Sequence, residues 1–213
     1  ITYGNPTTGW KNIDLQIPII DISVVSPKAI WILQKQPEEA MRLSLYTIKN
    51  MKILQNITLS NIHAKSILST NNQQLIINSE EGLFYLYGNK LVEDTSLYSD
   101  LNIDHKYFNG FVNLSCSFDN SLWGNYGYEL LHKKMDGWEK YDMYYIQGTD
   151  IVSVDQAKDL TIWAGDGYLD LSDSKFYSFS KPPFYQVNVI RVDPLDNIWY
   201  GTDSGVYLYE RKR

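Results

Sequence analysis

Cysteine is almost absent from this chain. Cys116 is the single one in 213 residues, which excludes an internal disulfide and a thiolate metal cage. It sits in an alternating apolar run, where a buried, inert thiol is the expected reading. No stretch of 18 apolar residues occurs, so no membrane span is expected. Positive charge is also scarce: 19 Lys and Arg stand against 25 Asp and Glu, for a formal net charge of −6. The basic residues form no stripe apart from Arg211, Lys212 and Arg213, which argues against nucleic acid as a partner. Histidine is limited to His63, His105 and His132, with no metal-binding spacing. These three read as surface or loop residues, and no metal or other cofactor is expected.

What the chain has in quantity is tyrosine and branched aliphatics. Its 17 Tyr, 6 Trp and 7 Phe make it 14% aromatic, a composition suited to pleated, half-buried strands. The C-terminal stretch shows how they are used. A strand from Val187 to Val192 leads into a turn from Asp193 to Asn197. A second strand follows from Ile198, then a Gly-containing turn from Thr202 to Gly205, then a third strand from Val206. Alternating apolar residues between such turns are the mark of antiparallel strands.

The unit recurs. Trp163 and Trp123 occupy the place of Trp199 in two upstream copies, Ile76 in a weaker third, and Trp31 in a fourth with a longer loop from Gln34 to Ala40. Successive anchors are 36 to 47 residues apart, the period of a four-stranded propeller blade. The expectation is therefore an all-β, five-bladed propeller of four-stranded antiparallel blades in a single domain. The blades fall near residues 19–56, 63–95, 111–142, 149–180 and 187–213, the last completed by 9–15. That completion rests on Gly9-Trp10-Lys11, which matches the fourth-strand start Gly137-Trp138-Glu139. A blade shared between the termini would seal the ring and remove an exposed edge. The alternative is that the five repeats belong to a larger propeller.

The stretch Asp193, Asn197, Ile198, Trp199, Gly201, Thr202, Gly205, Val206, Tyr207 and Tyr209 resembles the two-component regulator propeller repeat. The copy around Trp163 is a fair match, the one around Trp123 partial, and the first two poor. The resemblance implies a propeller and, in that family, an extracytoplasmic sensor of hybrid histidine kinases, often for glycan fragments. Those sensors usually carry many more than five blades. The repeat residues are structural, so the resemblance implies no site residue.

The recurrent Trp residues read as packing between sheets. The turn acids Asp119, Asp155, Asp159, Asp193 and Asp196 read as turn stabilisers rather than calcium ligands. The inner strands offer few carboxylates for catalysis, Asp21 being the main exception, and no nucleophile elbow surrounds Ser115. The chain therefore reads as no enzyme. The fourth-to-first-strand connections, by contrast, place Tyr107, Phe108, Tyr144, Tyr145, Phe184 and Tyr185 on one face, and aromatics on loops of a rigid scaffold suit recognition. They are the candidate ligand-binding residues. The expected function is a secreted or surface-located, non-catalytic binding module for a protein partner or glycan, in the periplasm, at the cell surface or outside the cell. The alternatives are an extracytoplasmic sensor of a two-component-type system and a glycosidase-like enzyme with funnel carboxylates. The composition leaves open a place in a larger assembly or chain.

Overall fold

The computed structural model describes residues 2–5, 9–12, 17–37, 40–117, 119–127, 129–142, 153–179 and 186–211. Within them lie five antiparallel sheets that follow one another along the chain. Blade one is β3 (Ile19–Ser26), β4 (Ala29–Lys35), β5 (Met41–Thr47) and β6 (Ile53–Leu59). Blade two is β7 (Ala64–Ser69), β8 (Leu75–Ser79), β9 (Leu83–Tyr87) and β10 (Lys90–Glu93). Blade three is β11 (Asn113–Cys116), β12 (Leu122–Tyr126), β13 (Glu129–Lys134) and β14 (Gly137–Asp142). Blade four is β15 (Val154–Gln156), β16 (Ile162–Ala164), β17 (Gly167–Asp170) and β18 (Lys175–Ser178). Blade five has three described strands, β19 (Val187–Val192), β20 (Ile198–Thr202) and β21 (Gly205–Tyr209). The first strands β3, β7, β11, β15 and β19 contact one another in succession, which is the arrangement of a propeller.

The same local turn opens four of the blades. Thr70, Ser117, Ala157 and Asp193 each donate an N–H to the carbonyl four residues on, at 2.9 Å. The fourth residue of each turn, Gln73, Asn120, Leu160 or Asp196, is left-handed, with φ between 65° and 70°. Turn acids support these loops as expected. Asp193 Oδ1 accepts from Leu195 N and Asn197 N at 2.8 and 2.9 Å, and Asp119 Oδ1 accepts from Ser121 N at 2.9 Å. Asp155 lies instead in the inner strand β15.

Between blades the core is a series of sandwiches. Trp31 and Leu33 meet Ile67 and Ile77; Ile76 meets Leu114 and Leu122; Trp123 meets Val154 and Ile162; Trp163 meets Ile190 and Ile198. Toward the axis, polar side chains lace one inner strand to the next. Asp21 Oδ2 accepts from Ile67 N at 2.8 Å, and Ser153 Oγ accepts from Ile190 N at 3.0 Å. Inner strands of neighbouring blades belong to separate sheets with no ladder between them, so these side chains satisfy amides that would otherwise be orphaned. The Asp21 carboxylate, the expected funnel acid, is committed to this lacing.

The expected closure is not what the structure shows. Gly9–Asn12 (β2) pairs with Thr2–Asn5 (β1) in a separate two-stranded hairpin, with Gly4 opposite Trp10. Among the described residues, blade five stops at three strands and no sheet is sealed by the N-terminal segment. A partner a few residues away closes a far smaller loop than one at the other end of the chain, so the local hairpin forms at lower entropic cost. His132 is also not at the surface. It lies in β13, 3% exposed, with its ring stacked on Trp123.

Candidate functional site

Fourth-to-first and second-to-third connections emerge at the same end of each blade. At that end of blade two, several ionisable side chains meet. His63 precedes β7, and Glu80 and Glu81 form the β8–β9 turn. The long connection from β10 to β11 supplies a short helix α1 (Ser96–Leu101) and a 3-10 turn over His105–Tyr107. The acidic turn is held by Ser79 Oγ, which accepts from Glu81 N and Gly82 N at 3.1 Å each. Asp104 accepts from Lys106 N at 3.0 Å and so caps the 3-10 turn.

These supports bring two histidine–carboxylate pairs to either side of Tyr98. His63 N donates to Glu81 Oε2 at 2.8 Å, and its Nδ1 pairs with Glu81 Oε1. His105 Nε2 pairs with Glu93 Oε1 at 3.0 Å. The Tyr98 ring meets His105 edge-on at 4.5 Å, and its hydroxyl donates to the Glu81 carbonyl at 3.4 Å. Burial works to raise the Glu81 pKa, but the His63 side-chain and backbone bonds outweigh it and hold the carboxyl below its usual value. Burial, then the Glu93 charge, push the Tyr98 phenol up. Beside them, Lys65 Nζ donates to the Asn109 carbonyl at 2.6 Å and lies 4.0 Å from Glu80 Oε1.

The ring nitrogen of His63 and one oxygen each from Glu80 and Glu81 lie within 4.8 Å of one another. One imidazole with two carboxylates is a donor set for a borderline or hard divalent cation. The same His63–Glu81 pair has the form of a general base oriented by a carboxylate. Sequence reasoning missed this group. The Glu80-Glu81 pair is visible in the sequence, but its meeting with His63, 18 residues from Glu81, depends on how β7 pairs with β8.

Of the six expected binding residues, Tyr107 presents its ring to solvent at 69% exposure, with Lys106 Nζ 5.6 Å from the ring centre. Its carbonyl is held by the Tyr126 hydroxyl at 2.9 Å. Phe108 is turned inward, 4% exposed, against Tyr98, Phe111 and Tyr126. Tyr144, Tyr145, Phe184 and Tyr185 lie outside the described residues. Next to Tyr107, between blades two and three, is a cleft of about 430 Å³ lined by Lys65, Asn78, Asn109, Val112 and Tyr126. A larger one of about 930 Å³ opens at the other end of the same blade pair, walled by Tyr85, Tyr87, Asp119, Lys133 and Met135. From its wall Lys133 pairs with the buried Asp94 of the β10–α1 connection, which also accepts from Ser96 Oγ at 2.6 Å.

No family model and no curated protein sequence matches the chain. Solved structures do match its fold. The extracellular domain assigned to a hybrid two-component system of B. thetaiotaomicron superposes with a TM-score of 0.71 at 17% identity, over 96% of this chain and 29% of that one. A second such domain from B. thetaiotaomicron gives 0.71 at 16% identity, over 98% and 30%. Virginiamycin B lyase from Staphylococcus aureus gives 0.69 at 14% identity, over 100% and 77%. The chain thus spans under a third of the two-component chains. At these identities the likeness establishes the propeller fold, one shared by extracellular domains assigned to two-component systems and by a lyase. The reading of the chain as no enzyme does not stand: a lyase shares this fold, and His63, Glu80 and Glu81 converge as a group that could hold a metal ion. No helix among the described residues is long and apolar enough to cross a membrane.

Proposed function

We propose that this propeller is an extracytoplasmic, ligand-sensing module of the two-component type, and that its ligand is a glycan fragment. The observation that carries the reading is the superposition of 96% and 98% of the chain on two extracellular domains of such systems. The chemistry of the blade-two rim supports the ligand class. An exposed aromatic ring, Tyr107, stands beside the His105–Glu93 pair and the Lys65–Asn109 cleft. A flat apolar surface next to a few fixed polar groups is what a sugar ring with its hydroxyls requires. Calorimetric titration with a panel of bacterial and plant oligosaccharides tests it. Saturable binding to at least one, weakened about tenfold or more by Tyr107→Ala, is the expected result; the factor corresponds to about 1.4 kcal/mol. Absence of binding across the panel, or binding indifferent to Tyr107, overturns the glycan assignment.

A second reading is lyase-type elimination, favoured by the His63–Glu81 pair together with the fold match to virginiamycin B lyase. In this reading His63 takes a proton from the substrate carbon next to the scissile bond, the C–H electron pair forms the new double bond as the bond to the leaving group breaks and that group departs with its electron pair, and Glu81 stabilises the imidazolium that forms. Incubation with virginiamycin B, followed by mass spectrometry, decides it. Turnover lost in His63→Ala supports the reading, and no turnover by the unmodified protein removes it.

A further inference from the structure

The second-strand anchors of blades one to four each pack against the next blade, and one of them is not an indole. Trp31, Trp123 and Trp163 are buried between blades one and two, three and four, and four and five. Ile76 holds the place between blades two and three. Strand register sets a third-strand ring directly opposite three of these anchors: Tyr85 opposite Ile76, His132 opposite Trp123 and Tyr168 opposite Trp163. In blades three and four the indole packs on that ring, with centroids 3.8 and 5.1 Å apart. In blade two an aliphatic side chain stands there instead, and the cleft of about 930 Å³ opens beside Ile76 and Tyr85. A small anchor where the other interfaces use a bicyclic ring leaves the space between two sheets unfilled.

The cleft has the size of a small-molecule site, roughly 300–1,000 Å³. Its apolar lining includes the buried Ile76 and Leu122. Alternation along β9 puts Tyr87 on the same face as Tyr85, and Tyr87 is exposed, as is Met135 on the blade-three side. A phenol face and a polarizable thioether both make favourable contacts with a flat ring. Four charged side chains also line the cleft. Lys133 and Lys134 are each neutralised by a carboxylate outside its lining, Asp94 and Glu139. Asp119 and Asp136 have no ion pair among the described residues, and Asp119 is fixed by the Ser121 N–H and hydroxyl at 2.9 and 2.6 Å. The wall therefore keeps uncompensated negative charge, which favours a cationic ligand.

We propose that this cleft binds an aromatic amine, a flat ring carrying a protonated amino group, and that the ring takes the place an indole fills at the other three interfaces. The ring packs on Ile76 and Leu122 and meets Tyr85 as Trp123 meets His132. The ammonium group is drawn to Asp119 and Asp136. A neutral sugar would leave both carboxylates uncompensated, and an aromatic acid would add to their charge. The cleft opens at the opposite end of the blade pair from Tyr107, so it is separate from the glycan site proposed above.

Ligand-observed NMR titration of the full chain with tryptamine, indole and indole-3-acetate tests it, because the three share a ring and differ in charge. Saturable binding of tryptamine at least tenfold tighter than that of indole-3-acetate is the expected result. Asp119→Asn keeps the turn acceptor and removes the charge, and is expected to narrow that preference several-fold. Tyr87→Ala is expected to weaken tryptamine binding several-fold. Ile76→Trp supplies the missing indole, and is expected to abolish binding and raise the melting temperature. Tyr107→Ala is expected to leave tryptamine binding unchanged. No saturable binding of tryptamine, equal affinity for indole-3-acetate, full binding by a folded Ile76→Trp, or loss of binding in Tyr107→Ala overturns the proposal. Should Ile76→Trp fail to fold, Tyr87→Ala and Asp119→Asn decide: tryptamine binding unchanged in both also overturns it.

Discussion

The Asp155 carboxylate accepts the backbone N–H of Val192 at 2.9 Å, joining the inner strands of blades four and five without a ladder between them. Its other oxygen takes the Gln156 N–H at 2.9 Å and the Ser115 hydroxyl at 3.3 Å. Asp21 and Ser23 do the same for Ile67 and Ser69 between blades one and two, at 2.8 and 2.6 Å. The axis of this propeller is therefore lined with polar side chains because its inner strands need acceptors.

Replacing Asp155 with Ala is expected to destabilise the protein by about 1–3 kcal/mol, since the part-buried Val192 amide is left without this partner. Asp155→Asn retains an acceptor and should cost less. Burial raises the Asp155 pKa against the pull of those bonds. Its contribution is therefore complete below the unfolded value and declines as pH rises through the folded one, a slope that Asn removes. Urea unfolding of the two variants at several pH values measures both effects.

His132 is held neutral. Its ring lies 3.8 Å from that of Trp123, and burial lowers its pKa from 6.5 to about 4. The unfolded chain takes up the proton first, so stability is complete above about 6.5 and falls as pH drops toward 4. His132→Phe keeps the stack and is expected to flatten thermal stability across that window.

Two lysines of neighbouring sequence should behave differently. Lys133 neutralises Asp94, whose side chain is 5% exposed, whereas Lys134 meets Glu139 at the surface. Lys133→Met leaves a buried charge unpaired and is expected to cost about 3–5 kcal/mol. Lys134→Met is expected to cost about 0–1 kcal/mol. Burial works to raise the Asp94 pKa, but Lys133 and Ser96 outweigh it and keep it below the usual value. The contribution of this pair is present above the unfolded carboxylate pKa and is lost as pH falls through the folded one. Chemical denaturation of both variants separates the two sites.

Leu160 sits at the left-handed position of its turn with φ of 70°, where blades three and five place Asn120 and Asp196. A Cβ is strained there, and the side chain is half exposed, so little burial is lost on replacing it. Leu160→Gly or Leu160→Asn is expected to stabilise by roughly 0.5–1 kcal/mol. A rise in melting temperature would confirm it.

Strands, turns and the five anchors were legible in the sequence because they are local. Period-two alternation places one residue in two on each sheet face, and Asp or Asn closes a turn with its own backbone. That is why Trp31, Ile76, Trp123, Trp163 and Trp199 all fall in second strands. The candidate site was legible only in part. Tyr107 could be assigned to an exposed connection, but Phe108 beside it is core. The alternation rule says nothing about a residue in a loop. His63 meets Glu81, and His132 is buried on Trp123, through strand pairings that no local pattern records. Tertiary structure alone decided the first and last blades. Gly9–Asn12 matches a fourth strand in sequence, yet its hydrogen bonds go to Thr2–Asn5. Trp199 matches three buried tryptophans in sequence, yet it is exposed. A repeat encodes the same two faces in every copy; whether a face is covered depends on which sheet stands next to it.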